Sequence, residues 1–188
     1  MATEALKSVS VTGLDAFPIT QVTAGESGTG TLLVSNDYIS STGGMLLGST
    51  YKMVRIPTNA KIKKVLFSCA AHGGSAAFDI DIGYSDSTQD GTPSNLQGAI
   101  VQISSADNKL FGAGVSAVSA LKHSDVTFSG TFTSAHKNLP LYQVLLNLGT
   151  SDWSSGDPGG FFDFILKSTA TDTNGGNLEL QVEYVMGG

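Results

Sequence analysis

Near its C-terminal end the chain alternates apolar and polar residues without interruption. From Leu178 to Tyr184 every even position is apolar and every odd position is Glu or Gln. Because successive side chains of a β-strand point to opposite faces, this pattern predicts a strand with one apolar and one polar face. Such a strand is not stable alone, so the rest of the chain must supply a second layer that covers its apolar face.

A second alternating segment precedes this strand. Phe162, Phe164 and Leu166 recur at every second position after the turn residues Asp157–Gly160. The segment Thr171–Gly176 is polar and ends in a Gly-Gly pair, which favours a turn. The two alternating segments therefore predict a β-hairpin with one buried and one solvated face.

Further short alternating segments are separated by Gly, Pro, Asn and Asp. They cover residues 31–39, 51–56, 61–71, 78–84 and 126–133. Charged residues make up 14% of the chain, against roughly 25% in a typical domain, and 23 residues are Gly. This composition favours strands and turns over surface helices. We predict an all-β fold, an antiparallel β-sandwich of jelly-roll type, over residues 31–188.

One segment follows a helical spacing instead. Apolar residues recur at i, i+3, i+4 and i+7, and they are Leu141, Val144, Leu145 and Leu148. Asn138 is a suitable N-cap, Pro140 suits a first turn, and Gly149 is a suitable end. The pattern predicts one short amphipathic helix lying across an open end of the sandwich.

Residues 1–30 differ from the rest because they show no sustained strand or helix period. Their apolar residues lie among Ser, Thr and Gly, and we take four of them as candidate partner-binding residues: Val11, Leu14, Phe17 and Ile19. One interpretation is a partly ordered tail, as is common at termini. The other is an extended N-terminal arm whose apolar side chains contact a neighbouring subunit.

Trp153 is the single tryptophan and lies in the polar loop 150–155. An exposed indole ring there would stack on a sugar or anchor a partner, which makes Trp153 a further candidate partner-binding residue. The alternative is that the ring packs over the end of the sandwich beside the helix.

Residues able to do chemistry are present but are not grouped in a recognisable pattern. Asp79 and Asp81 lie on one strand face, where the simplest interpretation is a solvated face. The segments Asp86–Gly91 and Asp172–Gly176 each resemble part of a calcium loop but lack its downstream Glu. The three histidines, His72, His123 and His136, show no ligand spacing. We therefore predict no catalytic, cofactor-binding or metal-binding residue and expect that the protein is not an enzyme.

Charge and hydropathy limit the partners that we expect. The net charge is −6, and a chain without a basic stripe is poorly suited to nucleic acid. No segment approaches the ~20 apolar residues of a membrane span. The single cysteine, Cys69, excludes a disulfide within the chain, and we expect it to be a small buried side chain. These features predict assembly in a cytoplasm, with neither nucleic acid nor membrane as a partner.

Several segments taken in order resemble a known family. They are Tyr51–Pro57, Phe78–Tyr84, Leu139–Leu145, Asp157–Asp163 and Val182–Val185. Over residues 51–185 the chain is similar to the tailed-bacteriophage capsid decoration proteins, which are also called head-stabilising proteins.

The resemblance implies a structural virion protein without catalytic or cofactor residues. It would bind the outside of a phage capsid, assembled in the host cytoplasm, and stabilise the shell by bridging subunits of the major capsid protein. It would also form a symmetric homo-oligomer. The alternative is a glycan- or receptor-binding β-sandwich module of a phage fibre or tail, for which Trp153 is the leading contact residue.

Overall fold

The computed structural model describes residues 5–7, 12, 31–41, 44–82, 109–149, 155–172 and 174–186 of the chain. Within these ranges the chain forms two β-sheets and one α-helix. The predicted all-β sandwich with one short helix is therefore confirmed, whereas its jelly-roll connectivity stays a prediction.

The strands of the described ranges are β1 (Ala5–Lys7), β2 (Leu33–Ser41), β3 (Thr50–Pro57), β4 (Ala60–Cys69), β5 (Ala77–Ile82), β6 (Gly112–Ser116), β7 (Leu121–Asp125), β8 (Phe161–Ser168) and β9 (Gly176–Met186). The five-stranded sheet has the order β1-β3-β8-β5-β6, and the four-stranded sheet has the order β2-β9-β4-β7. Neighbouring strands are antiparallel except β1 and β3, which are parallel. Strand β1 belongs to the predicted arm and pairs with the chain's own β3.

The predicted C-terminal hairpin is wrong, although both of its strands exist. β8 pairs with β3 and β5 in the five-stranded sheet, whereas β9 pairs with β2 and β4 in the four-stranded sheet. Their apolar faces cover each other across the core, where Phe164, Leu166, Leu180 and Val182 are fully buried. Alternation indicates which side of a strand is buried but carries no information about which strand lies beside it.

The helix forms where the spacing predicts it. Helix α1 (Leu141–Leu148) buries Leu141, Val144 and Leu145 and is capped at its N-terminus by Pro140. Gly149 ends it in the left-handed conformation (φ 68°), and its amide donates to the carbonyls of the last turn. Asn138 is not the N-cap, because it is the last residue of a separate 3-10 helix, Ser134–Asn138.

The core lies between the two sheets and contains a chain of aromatic contacts. Phe67 of β4 and Phe78 of β5 meet edge to face with ring centroids 5.8 Å apart, which joins one sheet to the other. Phe111 lies 5.1 Å from Phe164 of β8 and 4.8 Å from Phe132. Cys69 is buried at the end of β4, as predicted.

Candidate interaction surface

A buried ion pair joins β8, the central strand of the five-stranded sheet, to its neighbour β3. Arg55 of β3 lies directly opposite Asp163 of β8, and neither side chain is more than 2% exposed. Arg55 Nε donates to Asp163 Oδ1 (2.6 Å) and Nη2 donates to Oδ2 (3.0 Å). This two-pronged geometry is the strongest that Arg and a carboxylate can form. The pair therefore fastens β3 to β8, and no solvent reaches it.

The expectation that Asp79 and Asp81 lie on a solvated face is wrong, because both carboxylates are buried. Asp79 Oδ1 accepts a hydrogen bond from the Gly114 amide (2.7 Å). Asp81 Oδ1 accepts one from the Leu110 amide (3.1 Å). β5 lies between β8 and β6, and its aspartates hold both β6 and the segment that leads into it. Both carboxylates therefore accept hydrogen bonds from main-chain amides of the neighbouring segment.

The structure brings together two residues that sequence reasoning left apart. His72 Nδ1 lies 3.0 Å from Asp172 Oδ2, and both side chains are fully buried. Asp172 Oδ1 also accepts the Asn174 amide (2.9 Å), and the Asp172 amide donates to the Met45 carbonyl (2.8 Å). The residues are 100 positions apart in the chain, and no spacing signal could have linked them.

The His72–Asp172 pair has the residue types and the spacing of a catalytic dyad, but both side chains are fully buried. His72 Nε2 is buried and has no hydrogen-bond partner among the described residues. A Cβ atom at Gly176 would lie only 3.3 Å from it, so the nitrogen faces backbone at close range. We interpret the pair as structural, because it links the β8–β9 connection to the segment that follows β4.

Metal chemistry finds no support in the described part of the chain. No group of three or more His, Cys, Asp or Glu side chains there could hold an ion. Of the other two histidines, His136 Nδ1 accepts the Thr133 amide (3.1 Å) and His123 is exposed. Neither described helix is long and apolar enough to cross a membrane.

Exposed apolar side chains are concentrated along β2, at one edge of the four-stranded sheet. Leu32, Val34 and Tyr38 are 52%, 53% and 58% exposed. Val34 and Tyr38 occupy even positions of β2 and share the outer face of the sheet, and Leu32 immediately precedes the strand; we call these three residues the apolar rim. Other large exposed apolar residues of the described ranges, among them Leu47, Val118 and Phe128, lie singly on other segments.

Away from β2, the outer face of this sheet carries charged side chains. Val34 lies opposite Glu183 of β9, and Glu183 lies opposite Lys64 of β4. At the far edge Lys64 Nζ is 4.0 Å from Asp125 of β7. Burial alone would raise the pKa of Asp125, but hydrogen bonds from Thr127 and the charge of Lys64 lower it below its ordinary value. The β7 edge is therefore charged at neutral pH, whereas the β2 edge is apolar.

The apolar rim is a candidate interaction surface that the structure adds to the predicted residues. The predicted partner-binding residues Val11, Leu14, Phe17, Ile19 and Trp153 lie outside the described residues, so their roles stay predictions. A sequence signal for the rim exists, because the adjacent residues Leu33 and Val34 place apolar side chains on both faces of one strand. A half-buried strand would carry them on one face only.

Comparison with solved structures finds this fold over nearly the full length of the chain. A chain from the capsid of Ralstonia phage GP4 matches with a TM-score of 0.53 and 14% sequence identity, covering 98% of this chain and 99% of its own. A chain from the capsid asymmetric unit of cyanophage Pam1 gives a TM-score of 0.39 and 11% identity, over 91% and 96%. The second likeness is too distant to carry an argument. No protein-family model and no curated protein matches the sequence. The first likeness shows that this chain shares its fold with a chain of a phage capsid.

Proposed function

We propose that the protein is a structural virion protein of a tailed bacteriophage. It binds the outside of the capsid and stabilises the shell by bridging subunits of the major capsid protein. The observation that carries this proposal is the end-to-end fold match with a chain from the capsid of Ralstonia phage GP4. The family resemblance of residues 51–185 supports the same role from the sequence, independently of the fold match.

The physical basis of stabilisation is linkage. A protein that binds the assembled shell, and not the separated subunits, raises the free energy needed to take the shell apart. The chain is suited to adhesion because only 14% of its residues are charged, and interface cores are poor in charged residues. Its described buried carboxylates and His72 are engaged in holding strands and loops together. We assign it no catalytic role.

Heating of shells tests the proposal. Empty shells assembled from the major capsid protein of the same virus would be heated with and without the purified protein, and disassembly would be followed by calorimetry. We expect the protein to co-sediment with the shells and to raise their disassembly temperature. A matched sample containing heat-unfolded protein controls for nonspecific adsorption.

Two results would count against this function. Shells that neither bind the protein nor gain stability would contradict it. Binding to host-cell glycans in the absence of shell binding, abolished by Trp153→Ala, would instead favour the fibre or tail module.

A further inference from the structure

The sheet edges of the described structure differ in how well they are protected from pairing. β1 has three residues, and β6 has five, including Gly114 at φ 62°. β7 has five residues, carries Lys122 and Asp125, and is bent at His123 (φ 47°). Short length, charge and local distortion are the usual devices that prevent edge-to-edge association. β2 has nine residues and contains no Lys, Arg or Pro.

The register shows which backbone groups of β2 face its outer edge. The carbonyl of Asn177 in β9 accepts the Ala70 amide (2.9 Å) at the end of β4, so odd-numbered residues of β9 direct their backbone towards β4. These residues lie opposite even-numbered residues of β2. Val34, Asn36 and Tyr38 therefore direct their N–H and C=O groups away from β9. The Tyr38 amide donates to its neighbour Asp37 Oδ1 (2.8 Å), which agrees with this orientation.

We propose that β2 pairs antiparallel with β2 of a second copy of this chain, about a two-fold axis at Asn36. The two four-stranded sheets then join into one continuous eight-stranded sheet. Such an interface is isologous, because the same strand contributes to both sides. The pairing rests on the sheet edge alone, so a failure of the protein to bind shells leaves it standing.

The strand is complementary to itself in this register. Val34 faces Tyr38 of the second copy, a β-branched and aromatic pair of the kind that stabilises sheets. Leu33 faces Ile39 on the inner side. The single charged residue of the strand, Asp37, faces Ser35. A two-fold axis at Asp37 would instead set two carboxylates directly opposite each other, which is unfavourable.

Pairing also exchanges one hydrogen bond for another. The Tyr38 amide leaves Asp37 Oδ1 and donates to the Val34 carbonyl of the second copy. A single strand pair with its flanking side chains is smaller than a standard interface of about 1,600 Å². We therefore expect a dimer that dissociates on dilution.

Charged substitutions at positions that face each other test both the partner and the register. The mass of each variant would be measured by sedimentation velocity over a range of protein concentrations. Val34→Lys with Tyr38→Lys places lysines opposite each other and should weaken the dimer at least about tenfold. Val34→Lys with Tyr38→Glu places opposite charges in register and should dimerise more tightly than the lysine pair. Leu47→Lys with Val118→Lys adds the same charge at exposed sites away from β2 and should leave dimerisation unchanged.

Cross-linking gives a second readout. Asn36→Cys places two thiols on the two-fold axis, within reach of a short bismaleimide. The control Ser40→Cys lies on the same exposed face, but its two copies would be about 26 Å apart. The native Cys69 does not compete, because burial raises the pKa of its thiol and shields it.

Three results would overturn the proposal. The first is a wild-type protein that stays monomeric at the highest concentration. The second is an oligomer whose mass is unaffected by lysines at positions 34 and 38. The third is cross-linking that is no faster at position 36 than at position 40.

Discussion

Arg55 and Asp163 show how polar residues are used inside this fold. Each has its charge matched at hydrogen-bond distance, in a place that water does not reach. Removing two charges from water costs several kcal/mol per ion, and their attraction offsets that cost only while both partners are present. The pair therefore specifies how β3 and β8 align more than it stabilises the fold.

Replacing one partner should be far more harmful than replacing both. We expect Arg55→Met to lower the free energy of unfolding by about 3–5 kcal/mol, because it leaves the Asp163 carboxylate buried without its counter-charge. Arg55→Met combined with Asp163→Leu should recover most of that loss. Urea-induced unfolding followed by circular dichroism measures both variants. A single variant as stable as the wild type would show that the pair is not closed to solvent.

Single residues were only partly predictable from the sequence. Cys69 is buried as expected, since its neighbours Val65 and Phe67 share its apolar side. Asp79 and Asp81 are not solvated, because the chain covers both faces of β5 and supplies amides to their carboxylates. The covering segments are distant in sequence, so alternation within β5 could not reveal them.

At the scale of elements, the position of a strand or helix was predicted better than its neighbours. β9, β5 and α1 lie where periodicity predicted them, because each carries its burial pattern within its own residues. The assignment of β8 and β9 to separate sheets depends on contacts with strands far away in the chain. The apolar rim depends in the same way on which strand lies at the edge of the four-stranded sheet.

Gly130 lies where two segments of backbone approach each other so closely that a larger residue does not fit. Residues Thr131 and Phe132 donate to the carbonyls of Lys109 and Leu110 (3.0 and 2.8 Å), so this segment runs beside the entry to β6. A Cβ atom at Gly130 would overlap the Lys109 carbonyl oxygen and lie 2.7 Å from that of Leu110. These atoms belong to the backbone, which cannot move away as the end of a flexible side chain could.

We expect Gly130→Ala to destabilise the protein by more than about 3 kcal/mol or to prevent folding. The matched control is Gly74→Ala, in the turn between β4 and β5, where φ is 56° and no atom lies within 4 Å of the added carbon. That control should cost only about 1–2 kcal/mol from left-handed strain. Thermal unfolding compares the two. Equal losses of stability in the two variants would contradict a close contact between Gly130 and the Lys109 carbonyl.

At the scale of the whole molecule, the described chain is a sandwich whose four-stranded sheet has exposed apolar side chains at one edge. The four-stranded sheet carries charged residues at β7 and exposed apolar residues at β2, and we propose that the β2 side makes the contacts. The fold is that of a chain from a phage capsid, along nearly all of both sequences. The proposed adhesion to a shell would use exposed surface of this kind.

Electron cryo-microscopy of shells incubated with the protein tests the capsid role most directly. The map would be compared with one of the same shells without the protein. We predict additional density on the outer surface, located over junctions between major capsid protein subunits and fitted by the two-sheet fold. Shells with an unchanged outer surface at saturating protein concentration would contradict it.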